Sequence, residues 1–234
     1  MIQHITYSDH RMTIAARKCV ESALKHGCDS SIHLKPENIN RNFYEKYKHI
    51  LDQDRGAGFW LWKPYIILEA LNRLKNNDIL VYTDAGVEWV ANIDQLLNEM
   101  QGEIMVFGNG WRHGDWCKGD VLKGMNAENF VNHDQVQASC IILKRTKETI
   151  DFVEQWLKFC TMDNFIDDTL SFWANEPTFR EHRHDQAILT NLVLLNNIPF
   201  NRWPAQYNLR GNEKYNNKYG VIFNHHGRRN DGTR

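Results

Sequence analysis

The sequence predicts a single α/β domain over residues 1–234, with a mostly parallel central sheet and helices on both faces. Segments with strand-like and helix-like spacing of apolar residues alternate along the chain. A continuous apolar run at residues 79–82 is typical of a strand that is buried on both faces. A length of 234 residues, without an internal repeat or a linker, suits one domain.

Turn residues and helix caps divide the chain into successive elements. Asp9 and Thr146 are predicted helix caps, and Pro64 suits a first helical turn because it lacks a backbone N–H. The predicted strands span residues 2–7, 31–34, 78–82, 104–107 and 138–143, and the predicted helices span 9–27, 38–51, 64–74, 93–100, 146–160 and 185–195. Residues 111–134 are expected to form an active-site loop, residues 163–183 are weakly patterned, and short strands are expected in the tail.

Composition limits the class of protein. The formal net charge is -1, so no field of one sign is available to attract nucleic acid or an anionic membrane. No apolar run approaches the roughly 18 residues of a transmembrane helix, and the N-terminus lacks the pattern of a signal peptide. The five cysteines are odd in number and have no close pairs, which favours a reducing compartment. We therefore expect a soluble cytoplasmic protein.

Asp84 follows the buried central strand and is the first candidate for chemistry. Ligands of parallel α/β sheets sit beyond the carboxyl ends of the strands, a rule that places Asp84 and Asn109 in one crevice. Ala85 and Gly86 leave room beside the carboxylate for a metal ion and a phosphate, and Mg²⁺ and Mn²⁺ accept oxygens from both. The alternative is that Asp84 only caps a turn.

Four segments carry a resemblance to a known family. They are Arg-Gly-Ala-Gly-Phe-Trp-Leu-Trp-Lys-Pro at 55–64, Asp-Ile-Leu-Val-Tyr-Thr-Asp-Ala-Gly at 78–86, Trp-Cys-Lys-Gly-Asp at 116–120, and His-Arg-His-Asp-Gln-Ala-Ile-Leu at 182–189. In this order and spacing they resemble bacterial and viral glycosyltransferase-like proteins with the Rossmann-like nucleotide-diphospho-sugar transferase fold, known as glycosyltransferase-A. The resemblance spans most of the chain.

The resemblance implies a metal-dependent transferase that uses a nucleoside-diphosphate sugar as donor and a glycan or other hydroxyl as acceptor. The family usually carries Asp-x-Asp after the middle strand, whereas Gly86 occupies the second acidic position here. Asp84 is therefore the expected ligand of Mn²⁺ or Mg²⁺, assisted by His225 or His226. The residues expected to contact substrate are Arg55, Gly58, Trp62, Lys63, Tyr82, Thr83, Ala85, Gly86, Asn109, Trp116, His184 and Gln186.

The chemistry of transfer requires charge neutralisation and a base. The departing diphosphate needs a cation to neutralise it, a role open to the metal, Lys63 and Arg55, and also to Arg228 and Arg229 in the tail. Asp185 is the expected catalytic partner of Asp84. It would act as the base for the acceptor hydroxyl in an inverting enzyme or as a donor-sugar ligand in a retaining one. The alternative role of Asp185 is to cap its helix.

Three other functions remain open on the sequence. A haloacid-dehalogenase-like phosphatase also uses an aspartate after a strand, but Gly86 again replaces the second acid. An inactive module that only binds nucleotide sugars would explain the missing aspartate. A zinc site built on Cys117, His113, His182 and His184 has a spacing that fits no common ligand pattern.

Overall fold

The computed structural model describes residues 1–206, 218–226 and 230. The strands are β1 (Ile2–Tyr7), β2 (Ser30–Leu34), β3 (Ile79–Thr83), β4 (Val87–Trp89), β5 (Ile104–Met105), β6 (Phe107–Arg112), β7 (Asp134–Val136), β8 (Cys140–Lys144), β9 (Asn201–Arg202), β10 (Ala205–Gln206) and β11 (Phe223–His225). The helices are α1 (Thr13–Lys25), α2 (Arg41–Lys46), α3 (Lys48–Leu51), α4 (Gly56–Phe59), α5 (Trp62–Arg73), α6 (Asp94–Leu97), α7 (Gly119–Gly124), α8 (Lys147–Cys160) and α9 (His184–Leu195).

The central sheet has five strands in the order β2-β1-β3-β8-β5. Strand β1 pairs in parallel with both β2 and β3. Strand β8 is antiparallel to β3 on one side and to β5 on the other, so β5 points in the same direction as β3. The sheet is therefore mixed, but four of its five strands run one way, in agreement with the predicted mostly parallel sheet.

Successive residues of β3 enter two different hydrophobic clusters, as the two-residue period of a strand requires. Leu80 and Tyr82 belong to a large cluster with residues of α5, α8 and α9. Val81 faces a smaller cluster on the other side, formed with α1 residues and with the three-stranded sheet β10-β11-β4. The core thus lies on both faces of the central sheet, with helices on each face and a small sheet added to one.

Several predicted boundaries change where local geometry interrupts the pattern. The helix predicted at 38–51 is two short helices, because the backbone leaves the helical region at Tyr47. The helix predicted at 93–100 is reduced to α6. Asp9 caps a 3-10 turn by accepting from the amide of Arg11, and α1 begins later, at Thr13. The loop predicted at 111–134 contains helix α7.

Two predictions concern β6 and α8. Asn109 was expected just beyond a central strand, but the predicted strand divides at Val106, and β6 continues into a second sheet with β7 and β9. Asn109 consequently lies within β6 and not beyond the end of a central strand. Thr146 caps α8 as predicted, because its hydroxyl accepts from the amide of Thr149.

Candidate functional site

A cleft of about 380 Å³ opens where β1 and β3 end, at one edge of the central sheet. Its volume lies within the range of small-molecule sites. Parallel strands bring the residues after β1 and those after β3 to the same edge, which explains why distant segments of sequence meet here. Six residues singled out in the sequence line the cleft: Arg55, Trp62, Asp84, Ala85, Gly86 and His225.

Asp84 stands at this edge with both carboxylate oxygens in use. The hydroxyl of Tyr82 donates to Oδ1 at 2.5 Å, and the hydroxyl of Ser139 donates to Oδ2 at 2.8 Å. The backbone amide of Asp84 also donates to the Ser139 carbonyl, so β8 fixes the turn that follows β3. About a quarter of the Asp84 side chain remains exposed to the cleft. It is therefore a positioned carboxylate that a ligand can reach.

Lys63 lies behind Asp84 and joins it to Asp185. Its Nζ is 3.2 Å from Asp84 Oδ1 and 3.2 Å from Asp185 Oδ2, and it donates to the Ala138 carbonyl at 3.2 Å. The side chains of Lys63 and Asp185 are 3% and 4% exposed. The structure thus replaces the expected direct contact of Lys63 with phosphate by a buried ion triad of Lys63, Asp84 and Asp185. The ammonium acts on the cleft through the carboxylate of Asp84.

The triad separates the pKa values of its two carboxyl groups. Burial raises the pKa of Asp185 to about 6, with the negative charge of Asp84 adding to the effect and Lys63 opposing it. Burial also acts to raise the pKa of Asp84, but Lys63, Tyr82 and other partners outweigh it and bring the pKa below its ordinary value. Asp84 is therefore ionised at neutral pH, while Asp185 titrates closer to it. Two carboxyl groups with separated pKa values are typical of sites that perform acid–base chemistry.

The donor atoms at Asp84 fit one divalent cation. A carboxylate accepts about four contacts, and Asp84 uses three, which leaves a position on Oδ2. The imidazole of His225 lines the same cleft, and burial lowers its pKa, which favours the neutral form that binds metals. Among the described residues no group of three or more metal-binding side chains is found. The described residues therefore offer two ligands, and a diphosphate can supply further oxygens, as in many Mg²⁺ sites.

The two C-terminal histidines have different surroundings. His225, in β11, pairs with Val87 of β4 and so comes beside the Asp84 turn. His226 is not among the residues that line the cleft, although its backbone amide donates to the Gly86 carbonyl at 2.9 Å. Between the two, the geometry favours His225 as the ligand. Arg228 and Arg229, the other predicted phosphate contacts of the tail, lie outside the described residues.

Three predicted contact residues support the site from outside the cleft. Tyr82 is buried behind Asp84 and donates to it. Thr83 faces the opposite side of the sheet, where its hydroxyl is hydrogen-bonded to the imidazole of His4 at 2.8 Å. Gly58 has φ +99, and a Cβ there would lie 2.6 Å from the Cα of Leu51. The structure gives Thr83 and Gly58 roles in folding the strand and the turn.

Asn109 and Gln186 lie on a chain of amides beside the triad. Gln135 accepts from Gln186 at 2.7 Å and from Asn109 at 3.5 Å. Gln186 in turn accepts from the amide of Ala138, the residue whose carbonyl binds Lys63. Neither Asn109 nor Gln186 lines the cleft. Hydrogen bonds connect both of them to Ala138, whose carbonyl binds Lys63.

Trp116 and His184 also lie outside the cleft lining. His184 is buried, donates from Nδ1 to the Ile166 carbonyl at 2.6 Å, and stacks on Phe59. This is the environment of a core histidine. Trp116 is half-buried and stacks on Trp111, with ring centroids 4.6 Å apart.

The histidines of the zinc alternative make hydrogen bonds within the core. His182 donates to the Phe165 carbonyl at 2.7 Å, and His113 is hydrogen-bonded to Asn191 at 2.7 Å. Burial lowers the pKa of His113 to about 4, so the ring is neutral. These contacts explain the two histidines as core residues without a metal.

Three cleft residues, at the end of β1 and just after it, were missed by the sequence analysis. Tyr7, Asp9 and Arg11 line the cleft, and Tyr7 stacks on Trp62 with centroids 4.0 Å apart. Asp9 was predicted only as a helix cap, although β1, like β3, ends at the carboxyl edge. Trp60 also lines the cleft, and it belongs to the 55–64 segment that carries the family resemblance, although it is not among the expected substrate contacts. The signal that would have found Asp9 and Arg11 was their position after a strand parallel to β3.

No family model matches the sequence, and no curated protein matches it at a significant level. Solved structures do match. The bifunctional glycosyltransferase WbbM superposes with a TM-score of 0.57 and 12% identity over 96% of this chain, which spans 45% of WbbM. Mouse xyloside xylosyltransferase 1 gives a TM-score of 0.52 and 10% identity, over 97% of this chain and 98% of that one.

A viral enzyme adds to these neighbours. A glycosyltransferase involved in glycosylation of the major capsid of PBCV-1 gives a TM-score of 0.52 and 10% identity, over 96% of this chain and 91% of that one. In the part of this chain that the structure describes, no helix combines the length and the hydropathy needed to cross a bilayer. The predicted fold class is confirmed: the chain has the glycosyltransferase-A fold that these solved glycosyltransferases share.

Proposed function

We propose that this protein is a hexosyl- or pentosyltransferase that moves a sugar from a nucleoside-diphosphate sugar to a hydroxyl of a glycan or another acceptor. The observation that carries the proposal is the ionised carboxylate of Asp84, positioned at the end of β3 in the cleft and supported by Lys63, Tyr82 and Ser139. The fold of the solved glycosyltransferases supports transfer over the phosphatase alternative.

The cleft offers the groups that such a donor needs. Arg11 and Arg55 line it and carry charge that complements a diphosphate, and Tyr7, Trp60 and Trp62 offer aromatic surface to a base or a sugar. Gly86 lets the backbone approach the phosphates where a larger side chain would project into the cleft. The donor therefore lies against the ends of β1 and β3.

The expected cation is Mn²⁺ or Mg²⁺, with Asp84 and His225 as its protein ligands. When bound, such an ion stabilises the negative charge that grows on the departing diphosphate. Because one ligand is an imidazole, a first-row ion such as Mn²⁺ suits the site better than the strictly oxygen-seeking Mg²⁺. Arg11 and Arg55 also neutralise negative charge on the departing diphosphate. This compensates in part for a metal site that lacks a second carboxylate, because glycine stands at position 86.

In the transfer, an acceptor oxygen forms a bond to the anomeric carbon while the bond from that carbon to the diphosphate breaks. The nucleoside diphosphate leaves with the electron pair, and the acceptor hydroxyl gives up its proton to a carboxylate. Asp185 stays the predicted base, because a pKa near 6 suits a proton acceptor at neutral pH. Lys63 holds Asp185 close to Asp84 through an ion pair with each carboxylate. Surface-polysaccharide or glycoprotein-glycan assembly is the setting that we propose for the reaction.

A thermal-shift screen tests the donor site. UDP, GDP and their sugar conjugates are added to the protein with Mn²⁺ or with a chelator. A ligand present at 100 times its dissociation constant stabilises the native state by about 2.7 kcal/mol, so the melting temperature rises. We expect at least one nucleoside diphosphate to raise it, with a larger rise in Mn²⁺ than in chelator.

The variant Asp84→Asn removes the charge of the cleft carboxylate while keeping its shape. We expect it to remain folded, to lose most of the Mn²⁺-dependent shift, and to lose transfer strongly. Asp163→Asn, which neutralises an exposed carboxylate elsewhere, is the control and should behave like the wild type. Full transfer by Asp84→Asn would contradict the proposed role of Asp84, and the absence of any nucleotide-induced shift in the wild type would contradict the donor site.

A measurement of nucleoside-diphosphate release, made on the same wild-type and Asp84→Asn proteins, separates transfer from a module that only binds. If the wild type binds a nucleotide sugar with Mn²⁺ but releases no nucleoside diphosphate with water or with any acceptor, the binding module is the correct function. Release that depends on Asp84 supports the transferase.

A further inference from the structure

Two tryptophans and one arginine form an aromatic surface outside the cleft, here called the tryptophan platform: Trp111, Trp116 and Arg183. The two indole rings stack with centroids 4.6 Å apart. The guanidinium carbon of Arg183 is 4.7 Å from the ring centroid of Trp116 and 5.2 Å from that of Trp111. Trp111 is 40% exposed, so one large apolar ring is presented to solvent on a supported base.

The platform is fixed by backbone contacts. The amide of Arg183 donates to the Trp116 carbonyl at 2.9 Å, and the amide of Arg180 donates to the Asp115 carbonyl at 2.8 Å, so the segment before α9 runs along the segment before α7. The amide of Trp111 donates to the side chain of Asn109 at 2.9 Å. The rings are therefore ordered before any ligand arrives, which reduces the entropic cost of binding.

The platform adjoins the proposed reaction site. Glu181 forms an ion pair with Arg183 at 2.7 Å and accepts a hydrogen bond from Arg55 at 2.9 Å, and Arg55 lines the cleft. One carboxylate thus connects the platform to the wall of the donor cleft. Arg183 also comes two residues before Asp185, at the start of α9. An acceptor resting on the platform would lie near the wall of the cleft that Arg55 forms.

We propose that the tryptophan platform is the acceptor subsite and that it binds the apolar face of an uncharged pyranoside by stacking on Trp111, an inference that rests on the proposed glycosyl transfer. Sugar rings expose C–H groups on one face, which an indole covers while the hydroxyls remain directed to polar neighbours. Glu181 holds the guanidinium of Arg183 in an ion pair, so stacking on the exposed indole of Trp111, and not a charge on the sugar, carries the proposed recognition.

Fluorine NMR of protein labelled with 5-fluorotryptophan tests the subsite directly. UDP and Mn²⁺ are added first, and the methyl pyranosides of glucose, galactose and mannose are then titrated separately. The resonance of Trp111 is assigned by its loss in Trp111→Phe. We expect at least one pyranoside to move this resonance in a saturable manner. In Trp111→Ala the resonance of Trp116, which stacks on position 111 in the wild type, reports the binding instead, and we expect the affinity for that sugar to fall about tenfold, which corresponds to about 1.4 kcal/mol.

Two further variants serve as controls. Trp173→Ala removes another exposed indole, which is 50% exposed in a different loop, and should bind sugar and UDP as the wild type does. Trp111→Phe keeps an aromatic face and should retain most of the affinity. The UDP-induced rise in melting temperature should be unchanged in Trp111→Ala, which shows that the variant is folded and its donor cleft intact.

The outcomes distinguish this inference from the proposed function. If UDP binds but no pyranoside moves the Trp111 resonance, or if Trp111→Ala binds the pyranoside as tightly as the wild type, the acceptor subsite is wrong and the donor site stands. If neither UDP nor GDP binds the wild type, the proposed function fails, and this inference fails with it.

Discussion

Lys63 illustrates how one residue can have a role that its sequence position conceals. It follows Trp62 at the start of α5, where a lysine would ordinarily extend into solvent. The fold instead buries it between Asp84 and Asp185. Two carboxylates and one ammonium in a buried site are stable only while each charge keeps its partner, because an unpaired buried charge costs several kcal/mol. Lys63 therefore determines both the stability and the charge of the site.

Lys63→Met tests this role. We expect the variant to lose about 3–5 kcal/mol of unfolding free energy, measured by urea denaturation, because Asp185 is left as a buried carboxylate without its cation. The double variant Lys63→Met/Asp185→Asn should recover part of the loss, since it buries no unpaired charge. An equal loss in the single and double variants would show that the interaction of Lys63 with Asp185 does not support the fold.

At the scale of single elements, ends and caps matter most for the site. Strand β3 ends at Thr83, where it pairs with Cys140 at the start of β8. The turn that follows is held by the backbone amide of Asp84, which donates to the carbonyl of Ser139, the residue just before β8. Helix α8 packs beside α9 and contributes Trp156, whose indole N–H donates to the Asp185 carbonyl at 2.9 Å. The position of Asp185 therefore depends on where α8 lies as well as on where α9 begins.

Thr146→Ala tests the start of α8. The hydroxyl of Thr146 accepts from the amide of Thr149 and donates to Glu103. Its loss leaves a helical N–H without that partner, and we expect the unfolding free energy to fall by about 1 kcal/mol in urea denaturation. Thr146→Ser retains the hydroxyl and should stay close to the wild type. A Thr146→Ala variant as stable as Thr146→Ser would contradict the capping role.

Across the whole molecule, buried imidazoles give stability a dependence on pH. Burial lowers the pKa of His4 to about 3 and those of His113 and His184 to about 4. An unfolded histidine titrates near 6.5, so below that pH the unfolded chain binds more protons and stability falls as the pH falls. Asp185 has the opposite sign: its raised folded pKa adds stability on acidification between about 4 and 6. The histidines together contribute more to the pH dependence of stability than the one carboxyl group does, so stability falls overall as the pH falls.

We therefore expect the unfolding free energy to decrease from pH 7 to pH 5, with a slope near pH 5 that reflects a net uptake of at least two protons, because burial also holds the pKa of His182 well below its ordinary value. His113→Gln should lower this slope by up to one proton, or about 1.4 kcal/mol per pH unit. Urea denaturation across the pH range gives both slopes. A slope that is unchanged in His113→Gln would mean that this imidazole is protonated in the native state.

The sequence was sufficient for features that depend on local pattern. The alternation of elements, the buried strand before Asp84, the cap at Thr146 and the helix that follows Asp185 are encoded in side-chain spacing and turn chemistry, and the structure confirms them. Asp84, Ala85 and Gly86 line the cleft in agreement with the rule for the carboxyl ends of parallel strands, which depends only on strand direction, whereas Arg55, Trp62 and His225, which also line it, were expected from the family resemblance. The division of the 38–51 helix and the transfer of β6 to another sheet were not readable from local pattern.

Only the tertiary structure decided which side chains meet. Lys63, Asp84 and Asp185 are separated by 21 and 101 positions in the numbering, and no local spacing reports that one ammonium bridges the two carboxylates. The same holds for Arg11 and Tyr7, which reach the cleft because β1 lies beside β3. Sequence determines periodicity, whereas contacts between distant segments depend on strand order and packing, and here those contacts determine the chemistry of the site.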